Sequence, residues 1–63
     1  MDKSTAIGLL AKLEERRHKC GNKPSESDYS YRIAQAIVAE VAGYNDRREW
    51  TEALKAEGYE VYA

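Results

Sequence analysis

The sequence predicts an all-α fold in which three helices pack into one compact domain covering residues 1–63. Two observations support this class. Apolar residues recur at intervals of three and four in three separate stretches, which is the spacing of a helix with one buried side. Each stretch is followed by a glycine, which readily adopts the left-handed conformation that ends helices. These glycines are Gly21, Gly43 and Gly58.

The first helix is predicted over residues 5–20. Ile7, Leu10 and Leu13 recur at helical spacing and define its apolar side. Ser4 stands just before this stretch, and its hydroxyl is suited to accept a hydrogen bond from a free amide of the first turn. We therefore expect Ser4 to cap this helix, and the residues after Cys20 to form an irregular loop over 21–27.

The second helix is predicted over residues 28–42 and is apolar on two sides. One flank contains Ala34, Val38 and Ala42. A three-helix monomer covers one side of a central helix and leaves the other as an apolar patch, so we expect the protein to form a homodimer. The alternative is a monomer in which the other two helices flank this one. The other side contains Tyr29, Ile33, Ala36, Ile37, Val41 and Tyr44.

The third helix is predicted over residues 47–57. Asp46 followed by Glu49 resembles a capping box at its start, and Trp50 and Leu54 are expected to face inward. The short C-terminal tail, residues 59–63, has two possible conformations. It either extends along the core or pairs as a short strand with a second copy of the chain.

The composition excludes several kinds of stabilising or catalytic site. A chain of 63 residues buries only about 60% of its unfolded surface, so added stability is expected from self-association or tight helix packing. Cys20 is the only cysteine and cannot form an intramolecular disulfide. His18 and Cys20 are too few soft ligands for zinc, and no residues surround His18 as a catalytic triad would. We expect no catalytic, cofactor or metal site. The single thiol and the lack of a long apolar run favour the cytosol and no membrane span.

Large rings with a polar edge indicate a partner-binding surface. The chain has five tyrosines, one tryptophan and no phenylalanine, and tyrosine and tryptophan are enriched in binding hot spots. An equally good explanation is that so small a domain cannot bury six large rings. The residues predicted to contact a protein partner are Tyr29, Tyr31, Val38, Tyr44, Trp50, Tyr59 and Tyr62.

Basic residues offer a second kind of surface, for anions or nucleic acid. Residues 1–23 carry a charge of +3 and residues 24–63 a charge of −4. Cations at the end of the first helix also complement its dipole, which favours a merely structural role. The turn at Gly43 suggests a helix-turn-helix, but the acidic residues of the third helix argue against a DNA-reading role. The residues predicted to contact anions or nucleic acid are Arg16, Arg17, Lys19, Lys23, Arg47 and Arg48.

The whole chain resembles the small open-reading-frame proteins from the exo-xis region of lambdoid bacteriophages. The stretches that carry the resemblance are Met1–Leu10 (MDKSTAIGLL) and Tyr29–Ala42 (YSYRIAQAIVAEVA). The resemblance implies a non-enzymatic early regulatory protein in the host cytoplasm that influences the choice between lysis and lysogeny. It implies contact with an unidentified host or phage protein, and it assigns no functional residues.

Overall fold

Three helices form the fold in a computed structural model that describes residues 1–20 and 28–62. They are α1 (Lys3–Cys20), α2 (Asp28–Ala42) and α3 (Arg47–Ala56). That part of the chain contains no strand, and residues 59–62 follow α3 as an irregular tail. The radius of gyration of 11.2 Å is close to the ~11 Å expected of a compact chain of this length. The prediction of a compact all-α domain with three helices is confirmed, while the predicted loop over 21–27 lies outside the described residues.

The cap of α1 differs from the prediction. The helix begins at Lys3, and Oδ1 of Asp2 accepts a hydrogen bond of 2.7 Å from the backbone amide of Thr5. That bond lowers the pKa of Asp2. Ser4 lies inside the first turn, so its predicted role as the cap is wrong. The carboxylate two residues earlier satisfies the free amide, as a helix N-terminus favours.

The start of α3 follows the prediction in part. Oδ1 of Asp46 accepts a hydrogen bond of 3.0 Å from the amide of Glu49, as a capping residue does. The Glu49 carboxylate reaches back to Asn45 rather than to the Asp46 amide, at 3.3 Å from the backbone nitrogen and 3.0 Å from the side-chain nitrogen. Gly43 and Gly58 adopt φ angles of 95° and 89° after α2 and α3, which confirms them as the residues that end these helices.

The core lies where the three helices meet, and α1 packs most extensively against α2. Its fully buried members include Leu10 from α1 and Leu54 from α3. Trp50 is 3% exposed and completes the core from α3. The tail contributes Val61, which packs against the edge of this cluster. Residues of all three helices and the tail therefore share one core.

The orientation of α2 decides which of its two apolar sides is buried. Gln35, Ala39 and Ala42 are buried, and Val38 packs partly against the core. Of the two apolar sides, the one with Val38 and Ala42 is turned inward, where Gln35 contacts α1. The larger side chains of the other side of the helix are exposed. We call the exposed large apolar residues of this helix the α2 outer face. They are Tyr29, Ile33, Ile37 and Val41, with exposures of 57%, 47%, 57% and 58%.

Two adjacent leucines test the described core. Replacing Leu10 with alanine removes a fully buried side chain and leaves a cavity, so we expect a loss of about 2–5 kcal/mol in unfolding free energy. Leu9 is 39% exposed, and Leu9→Ala should cost about 1 kcal/mol or less. Urea unfolding followed by circular dichroism measures both. Equal losses for the two variants would show that α1 is rotated from the described orientation.

Candidate functional site

A buried carboxylate joins every element of the fold. Glu14 lies in the middle of α1 with 0% exposure, and its two oxygens accept hydrogen bonds from four other residues. Arg17 binds both oxygens, at 3.2 and 3.1 Å, and Gln35 of α2 donates at 3.0 Å. The backbone amide of Tyr62 in the tail donates at 2.8 Å, and Arg47 of α3 approaches to 3.4 Å. We call these residues the Glu14 cluster.

The environment of Glu14 keeps it ionised. Burial by itself raises its pKa, but the hydrogen bonds from Arg17, Gln35 and the Tyr62 amide outweigh that effect and lower the pKa to about 2. Two of these donors carry no charge, so hydrogen bonding as well as the ion pair with Arg17 stabilises the anion. A carboxylate with such a pKa and no exposed surface does not exchange protons near neutral pH. Glu14 is therefore a structural acceptor.

Arg17 does not belong to an exposed basic surface. Its side chain is 5% exposed because it turns inward to Glu14, and its Nη2 also donates to the Tyr62 carbonyl at 3.0 Å. The prediction of Arg17 as an external anion contact is corrected on this ground. The sequence spacing explains why Arg17 turns inward, since Glu14 lies one helical turn before it on the side of α1 that includes Leu10.

The same contacts hold the C-terminal tail against α1. Tyr62 donates its amide to Glu14 and accepts at its carbonyl from Arg17, so both of its backbone groups are satisfied. Its ring stacks on His18 with the ring centroids 3.8 Å apart and the planes at 9°. Of the two predicted conformations, the described tail takes the one that extends along the core, while Ala63 lies outside the described residues.

Gln35 is the polar residue of α2 on which the packing with α1 depends. Its side chain is 1% exposed, and its Nε2 contacts the Leu10 carbonyl at 3.5 Å as well as Glu14. Its Oε1 is buried and accepts no hydrogen bond from the described residues. A buried unsatisfied oxygen costs about 1–3 kcal/mol, so the contact with Glu14 is formed at a local cost in stability.

The structure distributes the predicted partner-binding residues over three environments. Tyr29 and Tyr59 are exposed, at 57% and 46%, whereas Trp50 is enclosed in the core. The ring of Tyr44 packs against the core and lies 4.9 Å from Nζ of Lys3. The half-buried members are Tyr31, Val38, Tyr44 and Tyr62.

The predicted anion-binding residues are divided in the same way. Arg16, Lys19 and Arg48 are exposed, and Lys19 forms an ion pair of 2.8 Å with Glu15. That contact lowers the pKa of Glu15. Arg47 reaches the Glu14 carboxylate, and its guanidinium lies 4.9 Å from the Trp50 ring. Lys23 lies outside the described residues. Trp50 itself is buried in the core, so its predicted contact with a protein partner is wrong.

The α2 outer face is the most extensive apolar surface on one described helix. Its four residues recur every fourth position and cover about 18 Å of helix. Sequence reasoning detected these residues as one of two apolar sides of the helix, but it did not determine which side is exposed. Isolated exposed apolar residues are ordinary, whereas a row of half-exposed large side chains on one helix is a candidate interaction surface.

Other kinds of site have no support in the described part of the chain. Residues 1–20 and 28–62 contain no group of three His, Cys, Asp or Glu side chains placed to hold a metal ion. None of the described helices is long and apolar enough to cross a lipid bilayer. A groove of about 600 Å³ between α1 and the tail is lined by side chains of mixed charge, including Lys12, Glu15 and Glu60.

Comparison with protein-family models, curated protein sequences and solved structures finds no match to this chain. The α2 outer face and the Glu14 cluster are therefore interpreted from their own geometry and chemistry.

The low pKa of Glu14 makes the stability depend on pH in acid. The ordinary glutamate value of 4.5 applies to the unfolded chain, against about 2 in the folded protein. The stabilisation is complete above pH 4.5 and is lost as the pH falls toward 2, by up to about 3 kcal/mol. Urea unfolding between pH 6 and pH 2 should show a much flatter profile for Glu14→Gln. The control is Glu15→Gln, which removes an exposed carboxylate. An unchanged slope in Glu14→Gln would contradict the assignment.

Removing one member of the Glu14–Arg17 ion pair should lower the unfolding free energy more than removing both members. Glu14→Leu leaves the Arg17 charge buried without its carboxylate, and we expect a loss of roughly 3–5 kcal/mol. The double variant Glu14→Leu/Arg17→Met removes both charges and should recover most of that loss. Chemical denaturation of the two variants measures the difference. A double variant as unstable as Glu14→Leu would show that the donors from Gln35 and the tail matter more than the ion pair.

Proposed function

We propose that this protein is a non-enzymatic interaction module that binds another protein through the α2 outer face. The observation that supports it most directly is the row of Tyr29, Ile33, Ile37 and Val41, each about half exposed. A domain of this size has little apolar material to leave in water. A row of four such side chains on one helix is typical of a surface that buries an amphipathic partner.

The chemistry of the polar residues agrees with a binding role. The most perturbed carboxylate, Glu14, is ionised, saturated with hydrogen bonds and closed to solvent, which suits structure and not catalysis. The Glu14 carboxylate that contacts α2 also binds the tail and α3. The position of α2 is therefore fixed relative to the other elements. A helix supported in this way presents its outer side chains to a partner in a fixed orientation.

The biological setting is proposed from the sequence resemblance. Met1–Leu10 and Tyr29–Ala42 resemble early proteins of the exo-xis region of lambdoid bacteriophages. We infer an early regulatory protein that acts in the host cytoplasm and influences the choice between lysis and lysogeny. Its action is contact with a host or phage protein. Tyr29–Ala42 is also the stretch that contains the whole α2 outer face.

Two adjacent residues of α2 separate binding from folding. Ile37 is 57% exposed, so Ile37→Asp should leave the thermal midpoint within a few degrees of the native value while abolishing partner capture. Val38 packs against the core, and Val38→Asp should lower the midpoint because an unpaired carboxylate is partly buried. Ser4→Asp adds the same charge at an exposed site and serves as the control for charge.

The capture experiment uses tagged protein in host lysate after nuclease digestion, at low and at high salt, with mass spectrometry of the retained material. We expect a protein retained at high salt by the native chain and Ser4→Asp and lost from Ile37→Asp. Retention of nucleic acid alone, lost as salt rises, would overturn the proposal in favour of the exposed basic residues, since phosphate contacts weaken steeply with salt.

A further inference from the structure

We propose that a pocket between α3 and the tail binds a small oxyanion, a phosphate or a carboxylate, through Arg47 and Lys55. The pocket has a volume of about 390 Å³, at the lower end of the ~300–1,000 Å³ typical of ligand sites. We call it the basic pocket, and its lining includes Arg17, Arg32, Arg47, Thr51, Lys55 and Tyr62. None of these residues belongs to the α2 outer face, so the inference goes beyond the proposed function and does not depend on it.

Basic side chains dominate the lining of this pocket. Arg17 comes from α1, Arg32 from α2, and Arg47 and Lys55 from α3, whereas no Asp or Glu belongs to the described part of the lining. Arg17 is paired with Glu14 at 3.1 Å, and Arg32 has a contact of its own. The site therefore depends on the two cations of α3, which are both exposed to solvent. An anion that enters from water between them relieves their mutual repulsion.

Lys55 has no partner of its own in the described part of the chain. Its side chain forms no ion pair or hydrogen bond with residues 1–20 and 28–62. The ammonium group carries three donors on a flexible stem, so it can follow an anion into the pocket without breaking an existing contact.

Arg47 is held on the same pocket by two contacts that leave it further donors. Its guanidinium lies 4.9 Å from the centroid of the Trp50 ring, and its Nη2 lies 3.4 Å from Oε2 of Glu14. That oxygen also accepts from the Tyr62 amide at 2.8 Å and from Arg17 at 3.1 Å. The contact with Glu14 uses one nitrogen of a planar group that has five N–H donors. Arg47 therefore offers an anion further donors in an orientation that the Trp50 ring supports.

The spacing on α3 places the two cations on either side of a short residue. Arg47, Thr51 and Lys55 recur every fourth residue, so the outer two lie about 12 Å apart along the helix axis. Each side chain has to span about 6 Å of that distance to reach the level of Thr51, which an extended arginine or lysine does. Oγ1 of Thr51 donates to the Arg48 carbonyl at 3.1 Å, so this hydroxyl proton is already used. The cations of α3 are therefore the groups that recognise the anion.

The lining favours a compact anion over a strand of nucleic acid. Binding of single strands combines a basic track with aromatic rings on which bases stack. Tyr62 is the only aromatic residue in the described lining, and its ring is already stacked on His18 with the centroids 3.8 Å apart. A single phosphate or carboxylate group needs no stacking surface.

Titration with inorganic phosphate, followed by ¹H–¹⁵N NMR at constant ionic strength, tests the assignment. We expect shifts centred on the amides of Arg47, Thr51 and Lys55, with saturation at roughly millimolar phosphate. Lys55→Gln removes a cation that has no described ion pair, so the fold should persist while phosphate binds about tenfold more weakly. The matched control is Arg48→Gln, which removes the same charge from an exposed site of α3 and should change the affinity by less than about twofold.

A second arm of the titration distinguishes two sources of the oxyanion. The 63-residue chain carries a main-chain carboxylate one residue beyond Tyr62, and a synthetic chain with a C-terminal amide removes that group. Phosphate shifts in both forms assign the pocket to an oxyanion from solution. Shifts in the amide form alone assign it to the carboxylate of the chain itself, bound by the same two cations.

Three results would overturn the proposal. The first is the absence of localised shifts in both forms of the chain. The second is equal weakening by Lys55→Gln and Arg48→Gln, with helical content intact by circular dichroism, because it would show a response to overall charge. The third is much tighter binding of a short oligonucleotide than of phosphate, with shifts that extend to Arg16 and Lys19. None of these results changes the capture expected of Ile37→Asp, so they are distinguishable from a failure of the proposed function.

Discussion

The fold depends on how one buried charge is satisfied. Glu14 is enclosed on all sides, and an ionised carboxylate without partners would be too costly to bury. Its hydrogen-bond donors come from α1, α2, α3 and the tail, so detaching any one element removes at least one donor from the buried carboxylate. In a domain of 63 residues, this polar arrangement adds a second connection between all the elements that already share the apolar core.

The Glu14 cluster also explains why so much apolar surface lies outside. Gln35 must point toward Glu14 to donate its hydrogen bond, and this rotates α2 so that the side of Ala39 and Ala42 meets α1. The larger side chains, Ile33 and Ile37 among them, then face away from the core. The buried polar contact and the exposed apolar row are two results of the same helix rotation. Polar groups in a core are able to impose a unique orientation in this way, even where they add little stability.

The helices were predictable because their ends are encoded locally. Gly43 and Gly58 end α2 and α3, and Asp46 caps the start of α3, each through the residue's own conformation or side chain. The rotation of α2 was not predictable from apolar periodicity, because both sides of this helix are apolar. Glu14 and Gln35 were missed because a buried polar pair has no signal in composition. The spacing of Leu10, Glu14 and Arg17 on one side of α1 is the one available clue.

The tail is recognised through its main chain. Glu14 and Arg17 bind the amide and the carbonyl of residue 62, and both groups are present whatever side chain stands there. Such a contact imposes almost no sequence requirement at this position except the exclusion of proline, which has no amide hydrogen. The residue type at position 62, here a tyrosine whose ring stacks on His18, can therefore change while the backbone at the end of the chain keeps its position. Among related chains, position 62 is expected to vary while Glu14 and Arg17 change only together.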